Sequence, residues 1–184
     1  MEKIDIFDLI ERMSALIRSE ERRKCKELGL QPVHLQVMDY ISRCNRYSDT
    51  PAALANYLGM TRGTISQTLF LLEKKGYIKK TADVNDKRMV HVSLLTEGET
   101  LLKKASPLDL YSQASALFKE NNNQENVFVN ALTALQKANK SQSFGLCKTC
   151  KYFTVTSAGF VCALTKEQLS QRDSEKICQE HSLS

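Results

Sequence analysis

Residues 50–80 read TPAALANYLGMTRGTISQTLFLLEKKGYIKK, and that string leaves the backbone few choices. Thr50 followed by Pro51 is an N-cap and first-turn pair: the hydroxyl accepts an orphan amide, and proline has no amide to satisfy there. Leu54, Tyr57 and Leu58 share one face of a short helix, and Gly59 supplies the left-handed backbone that ends it. Thr61 caps a second helix almost at once. Ile65, Leu69 and Leu72 bury one side of that helix, which leaves Arg62, Thr64, Ser66, Gln67 and Lys74 to face elsewhere, and Gly76 stops it. Two helices joined by a tight turn, the second carrying small polar and basic side chains, make a helix-turn-helix.

The next residues add a hairpin. Tyr77 and Ile78 begin one arm, Val90, Val92 and Leu94 alternate along the other, and ADVNDK between them is turn chemistry. A basic hairpin directly after a helix-turn-helix is a winged helix. Upstream, Ile4, Phe7, Ile10, Met13 and Ile17 give a helical pattern over 4–28 that ends at Gly29. Pro32 starts a second helix with Val33, Val37, Tyr40, Ile41 and Cys44 on its apolar stripe. Downstream, helical spacing returns from Glu97 through Leu101, Leu102, Leu108, Tyr111, Ala114 and Leu117, with a break at Pro107. ENNNQEN is a loop, and Val127, Phe128, Ala131, Leu132 and Leu135 outline a further helix. The expected fold is mainly α with a small β-wing, N- and C-terminal helices serving dimerisation. Residues 1–140 form the DNA-binding and dimerisation domain and 141–184 a cysteine-rich metal-binding extension, entered through a short linker, KSQS.

Charge is uneven along the chain. The formal net charge is +5, and between Met60 and Arg88 seven basic residues stand against three acids. Such a patch is either a solvated face or the electrostatic footprint of a phosphate-binding surface. The start, MEKIDIFDLIERM, lacks a basic segment followed by an apolar one, and no apolar run is long enough to cross a bilayer, so a cytoplasmic protein with no membrane partner is expected.

The two-helix string, the wing motif Asp83-x-x-Asp86-x-Arg88 and LLTEGE (Leu94–Glu99) together resemble the MarR family of bacterial transcription regulators over roughly residues 4–140. The resemblance implies a homodimer with interlocked terminal helices and two winged helices on a pseudo-palindromic operator, with repression as the expected outcome. It also implies a small-molecule effector at the junction of dimer helices and winged helix. Carried over by position, Thr61, Arg62, Thr64, Ser66 and Gln67 enter the major groove, and Lys79, Lys80, Lys87 and Arg88 lie on the wing. Val84 stands where the family usually has proline, and LLTEGE is shifted by one residue against the usual pattern. Chemistry agrees with the assignment: Arg62 suits guanine edges and Gln67 adenine, whereas wing cations add salt-sensitive phosphate affinity. Asp86 is expected to orient Arg88.

The end of the chain carries Cys147, Cys150, Cys162, Cys178 and His181 in the pattern C-x2-C-x11-C-x15-C-x2-H. C-x2-C delivers two thiolates to one ion from a single turn, so four cysteines suit tetrahedral zinc. They equally suit an iron–sulfur cluster, with Phe153, Phe160 and Ile177 as apolar neighbours, and reactive metal-free thiols are a third reading. His181 is a spare ligand or a support group, and Lys166–Gln179 reads as a helix. Without metal, a segment this poor in large apolar residues has little to fold around. Cys25 and Cys44 read as small core residues, and His34 and His91 carry no assigned role.

These observations favour a non-enzymatic, sequence-specific DNA-binding regulator, responsive to metal or redox state through its tail. Two other classes compete: a thiol-disulfide oxidoreductase using Cys147 and Cys150, which lacks a surrounding βαβ pattern, and an architectural chromatin protein without a specific site.

Overall fold

The computed structural model describes residues 6–84, 86–107, 110–113, 128, 132 and 144–182. Ile4, Leu108, Ala114, Leu117, Val127, Ala131, Leu135, the ENNNQEN loop and the expected linker lie outside the described residues. Helix α1 spans Ile6–Glu27 and α2 Pro32–Arg43, followed by α3 (Pro51–Leu58) and α4 (Arg62–Lys74). Strands β1 (Ile78–Ala82) and β2 (Val90–Leu94) form the wing, and α5 (Thr96–Ala105) leads away from it. Helix is found again at 110–113, beyond Pro107.

Local chemistry sets these boundaries. The Thr50 hydroxyl accepts from the Ala53 amide at 3.2 Å, and Gly59 closes α3 with φ 63°. Thr61 caps α4 by accepting from Thr64 at 3.2 Å. Gln31 and His34 form a reciprocal cap on α2, the Gln31 amide donating to His34 Nδ1 at 3.3 Å. Burial lowers the His34 pKa and keeps the ring in its accepting, neutral form. A side chain with no role assigned from sequence is thus a helix cap.

The core gathers on α2. Leu35, Val37, Met38 and Ile41 meet Leu54 of α3, Ile65, Leu69 and Leu72 of α4, and Ile78 and Val92 of the wing base. Cys25 and Cys44 are buried in the same cluster with free thiols, as small apolar side chains. The wing strands pair antiparallel from Ile78 opposite Leu94 to Ala82 opposite Val90. Helix α5 approaches so closely that a Cβ on Gly98 would lie 2.1 Å from the Tyr77 carbonyl oxygen. That contact is the physical content of the glycine in LLTEGE.

Beyond residue 143 the chain builds small sheets. Strand β3 (Gly145–Leu146) pairs antiparallel with β7 (Ile177–Cys178), while β4 (Phe153–Thr156), β5 (Gly159–Cys162) and β6 (Gln168–Leu169) form a second antiparallel sheet. The helix expected over Lys166–Gln179 is not formed: β6 is followed by a single turn, α6 (Gln171–Ser174), and then β7. Ser170 and Asp173 make a capping box that starts this turn, and Phe160 pairs with Leu169 across β5 and β6. Strand pairing and a local cap outweigh the weak helical periodicity.

The tail docks on the winged helix and adds Ile177 to the same core. Ile177 belongs to the main core cluster, and its carbonyl accepts from the Asn45 amide at 2.9 Å. Gln179 donates its amide to Ser48 Oγ at 2.9 Å and its side-chain nitrogen to the Tyr47 carbonyl at 3.1 Å. The Lys176 ammonium donates to the Ser42 carbonyl. Phe144 packs edge-on to Tyr57, centroids 5.1 Å apart, and Tyr57 in turn stacks on Tyr40 at 4.7 Å.

Candidate DNA interface and thiol cluster

The amphipathic pattern of α4 divides it as its sequence requires. Ile65, Thr68, Leu69 and Leu72 are buried, while Thr61, Arg62, Thr64, Ser66 and Gln67 are all exposed along the opposite side. A helix of 13 residues is about 20 Å long at 1.5 Å per residue, which suits the major groove. Thr61 and Thr64 share a hydrogen bond of 2.9 Å in addition to the cap, so their hydroxyls already have work inside the protein. Of the residues expected to contact bases, Arg62, Ser66 and Gln67 are the least committed elsewhere. Phe70 and Leu71, also on α4, expose apolar surface beside Ser66 and Gln67.

On the wing, Lys79, Lys87 and Arg88 are exposed. Lys80 differs: its ammonium lies 2.9 Å from Glu73 Oε2, and its backbone amide donates to the same carboxylate at 3.3 Å. This tie holds the wing against α4. Arg88 makes a two-pronged pair with Asp86, Nε to Oδ1 at 3.0 Å and Nη2 to Oδ2 at 3.2 Å, the orienting contact expected from the motif. Hydrogen bonding from Arg88 lowers the Asp86 pKa. Asp83 Oδ1 accepts from the amide of Asp86, three residues on, at 2.8 Å, a side-chain cap on the turn of the wing.

The motif also recruits a residue missed from sequence. His91 on β2 meets Asp49 through Nδ1 at 2.5 Å and Asp83 through Nε2 at 3.1 Å. The hydrogen bond to Asp49 is the main cause that raises the His91 pKa, with Asp83 assisting against desolvation. Burial raises the Asp49 pKa while the His91 ring opposes it. The imidazole therefore clamps the wing to the segment before α3. Asp49 and His91 are 42 residues apart, so no local spacing signals the pair.

The cysteines of the tail are brought together by its two sheets. Gly145 stands opposite Cys178, and the Cys147 amide donates to the Lys176 carbonyl at 3.0 Å, which places Cys147 diagonally from Cys178. Cys147–Thr149 forms a 3-10 turn closed by the Cys150 amide on the Cys147 carbonyl at 3.1 Å, and Phe153 just beyond stands opposite Cys162. Cys147 is buried, and its thiol is pushed up to about 12 by burial first and then by Cys178, Cys162 and Cys150. Among the described residues no group of three or more His, Cys, Asp or Glu is placed so that it could hold a metal ion. His181 turns aside: its ring covers Gly145, and Nε2 meets Thr149 Oγ1 at 2.9 Å. Ile177 faces the domain core rather than the thiols, while Phe153 and Phe160 pack on each other at 5.1 Å. A buried thiol with a raised pKa is a poor redox nucleophile, which weighs against the oxidoreductase reading.

The Ser182 amide donates to Cys150 Sγ at 3.4 Å. The neighbours of Cys178 are tied to the α2–α3 loop, the Ile177 carbonyl accepting from the Asn45 amide and the Gln179 amide donating to Ser48 Oγ. The net effect of the turn at Leu164–Thr165 is to lower the Cys162 pKa against its desolvation. Between α2, β2, α5 and the tail lies an open cleft of about 760 Å³, lined by Lys103, Arg172 and Lys176 as well as by Asp39, Asp49 and Glu99.

Residues 28–89 match the model of the MarR family. The chain is similar in fold to S. aureus MepR in complex with DNA, at 20% identity and a TM-score of 0.57, covering 73% of this chain and 99% of that one. It is likewise similar to wild-type MarR from E. coli in its apo form, at 22% identity and 0.53, with 74% and 98% covered. CouR from Rhodococcus jostii RHA1, bound to p-coumaroyl-CoA, gives 19% and 0.55, with 73% and 92% covered. No curated protein matches the chain. The winged-helix fold read from the sequence is the fold of these proteins.

Proposed function

We propose that this protein is a sequence-specific DNA-binding transcriptional regulator of the MarR type, acting as a homodimer on a pseudo-palindromic operator and repressing by occupying it. The observation that carries the reading is the joint exposure of Arg62, Ser66 and Gln67 on one face of α4, next to a wing whose Arg88 is pre-oriented by Asp86. The matched MarR segment spans both elements, and the structural relatives include a DNA complex. Dimerisation is supported by apolar side chains that a single chain leaves in water: Met13 and Leu16 on α1, and Phe128 and Leu132 further on. The cleft between α2, β2, α5 and the tail is the candidate effector site, its mixed charges suiting a polar or anionic small molecule. The reading needs no catalytic group. Among the described residues no helix is long and apolar enough to cross a membrane, and a cytoplasmic location fits a DNA partner.

Selection from a random-sequence duplex library, followed by footprinting, tests this. Two half-sites about 34 Å apart on one face of the duplex are expected. Arg62→Ala should cost about 1–3 kcal/mol on the selected duplex and relax preference at one position per half-site. Lys79→Ala should weaken binding to all sequences and reduce the salt slope by about 1. Equal losses on selected and random DNA for Arg62→Ala would refute its role as a base reader, and failure to enrich any sequence would favour an architectural protein.

A further inference from the structure

We propose that His91 positions the wing for DNA: one proton, held at its ring between two carboxylates, ties the Arg88 end of the wing to the segment entering the helix-turn-helix, and affinity for DNA falls when that proton is lost. The effect on affinity rests on the DNA-binding reading above; the proton and the tie do not. Asp49 Oδ1 lies 2.5 Å from His91 Nδ1, and Asp83 Oδ2 lies 3.1 Å from Nε2. The other oxygen of Asp83 accepts from the Asp86 amide at 2.8 Å, and Asp86 Oδ1 accepts from the Arg88 amide and from its guanidinium, each at 3.0 Å. At the far end the Asp49 carbonyl accepts from the Val92 amide at 2.8 Å, and Thr50, next in the chain, caps α3. One ring thus joins the start of the helix-turn-helix to a cation of the wing.

Ionised carboxylates only accept hydrogen bonds, so satisfying both ring nitrogens takes one proton more than a neutral imidazole and two carboxylates hold together. That proton sits on the ring or is shared with Asp49. Without it the ring has one N–H and one lone pair. Asp49 makes the shorter contact and is fixed to β2 through its carbonyl, so the remaining proton stays on Nδ1 and Nε2 turns its lone pair on the Asp83 carboxylate. Repulsion then drives Asp83 from the ring, and the cap on Asp86, with Arg88 behind it, goes with it.

The groups around the ring favour the proton. Asp49 and Asp83 both raise the His91 pKa against desolvation. From β1, Thr81 stands opposite His91 with Lys79 diagonal on the same face, whereas α3 carries no charged side chain and its Tyr57 packs on Tyr40 and Phe144. Glu99 and Lys103 of α5, Asp39 of α2, and Arg172 and Lys176 of the tail line the cleft with Asp49 and act from its outer side. The His91, Asp49 and Asp83 side chains are 27%, 20% and 28% exposed, so the proton exchanges with solvent. With the folded pKa raised, the tie is complete on the acid side and is lost as pH rises through that value. His34 and His181, whose pKa values burial lowers, titrate below this window.

The test uses the full chain. Without DNA, the ring nitrogen resonances of His91 should show both protons at about pH 6.5 and lose one only at higher pH, and the amides of residues 86–89 should gain mobility in the same step. A ring already singly protonated at about pH 6.5, or wing amides indifferent to its titration, overturns the tie whatever the DNA result. On the selected duplex at constant salt, wild-type affinity should fall at least about 5-fold between about pH 6.5 and about pH 9, and the duplex should in return raise the His91 pKa. His91→Gln should give a flat profile at the weaker level. Asp83→Asn separates charge from shape: its oxygen still accepts from Asp86 while its nitrogen donates to the neutral ring, so binding at high pH should be rescued. This second variant keeps the test decisive even where His91→Gln does not fold. A flat wild-type profile, a fall that survives in either variant, or folded Asp83→Asn that stays at the weaker level overturns positioning by His91. Absence of specific binding at every pH, with ring and wing still titrating together, sinks the regulator reading and leaves the tie standing.

Discussion

Replacing Ile177 by alanine measures how far the tail has become part of the winged helix. The side chain is only 9% exposed and lies in the main cluster with Cys44, whose backbone it meets through a bridge. The substitution removes three carbons. At about 0.8 kcal/mol per buried methylene they represent about 2.4 kcal/mol of transfer free energy, and a residual cavity adds to it. The site lies at the seam between tail and domain, where neighbours can collapse, so the expected loss is about 2–3 kcal/mol. For a chain of this size each 1 kcal/mol lowers Tm by about 2–4 °C, which predicts a fall of about 4–12 °C. Thermal unfolding followed by circular dichroism, at matched protein concentration and metal content, reads this directly. Val155→Ala, on the exposed face of the tail, should stay within about 0.5 kcal/mol. An Ile177→Ala transition that matches wild type in its main winged-helix phase would show that the domain core is complete without residues 144–182, and the packing argument would fail.

Gly98→Ala forces a Cβ to 2.1 Å from the Tyr77 carbonyl oxygen, where backbone rather than a flexible side chain must yield; a loss of about 3 kcal/mol in denaturant unfolding is expected. His91 has a raised folded-state pKa, so its clamp contributes stability fully below the unfolded value near 6.5 and loses it as pH rises through the folded value. Wild type should therefore lose stability across that window relative to His91→Gln, and identical pH profiles for the two would refute the clamp.

The helix-turn-helix was legible because every signal that defines it is local. Thr50 and Thr61 cap within three residues, Gly59 and Gly76 adopt the positive φ their positions demand, and the buried stripe of α4 repeats at helical spacing. The Arg88–Asp86 pair was legible for the same reason, being two residues apart. The helix expected over Lys166–Gln179 was not formed because its periodicity was weak, and the competing strand partners for β6 and β7 sit on β5 and β3, which no window around 166–179 contains. Long-range contacts likewise decided the roles of His91, Asn45 and Ser48. Each is an ordinary residue in its own neighbourhood and acquires a role only when Asp49, Asp83, Ile177 or Gln179 is folded against it. The four tail cysteines stand between these cases. Their number and the C-x2-C turn are properties of the sequence, but the strand pairings that set Cys178 against the α2–α3 loop and Cys162 opposite Phe153 belong to the tertiary structure alone. Local hydrogen bonding can place two sulfurs on one turn, whereas bringing in the other two depends on strand pairings that close loops of many residues.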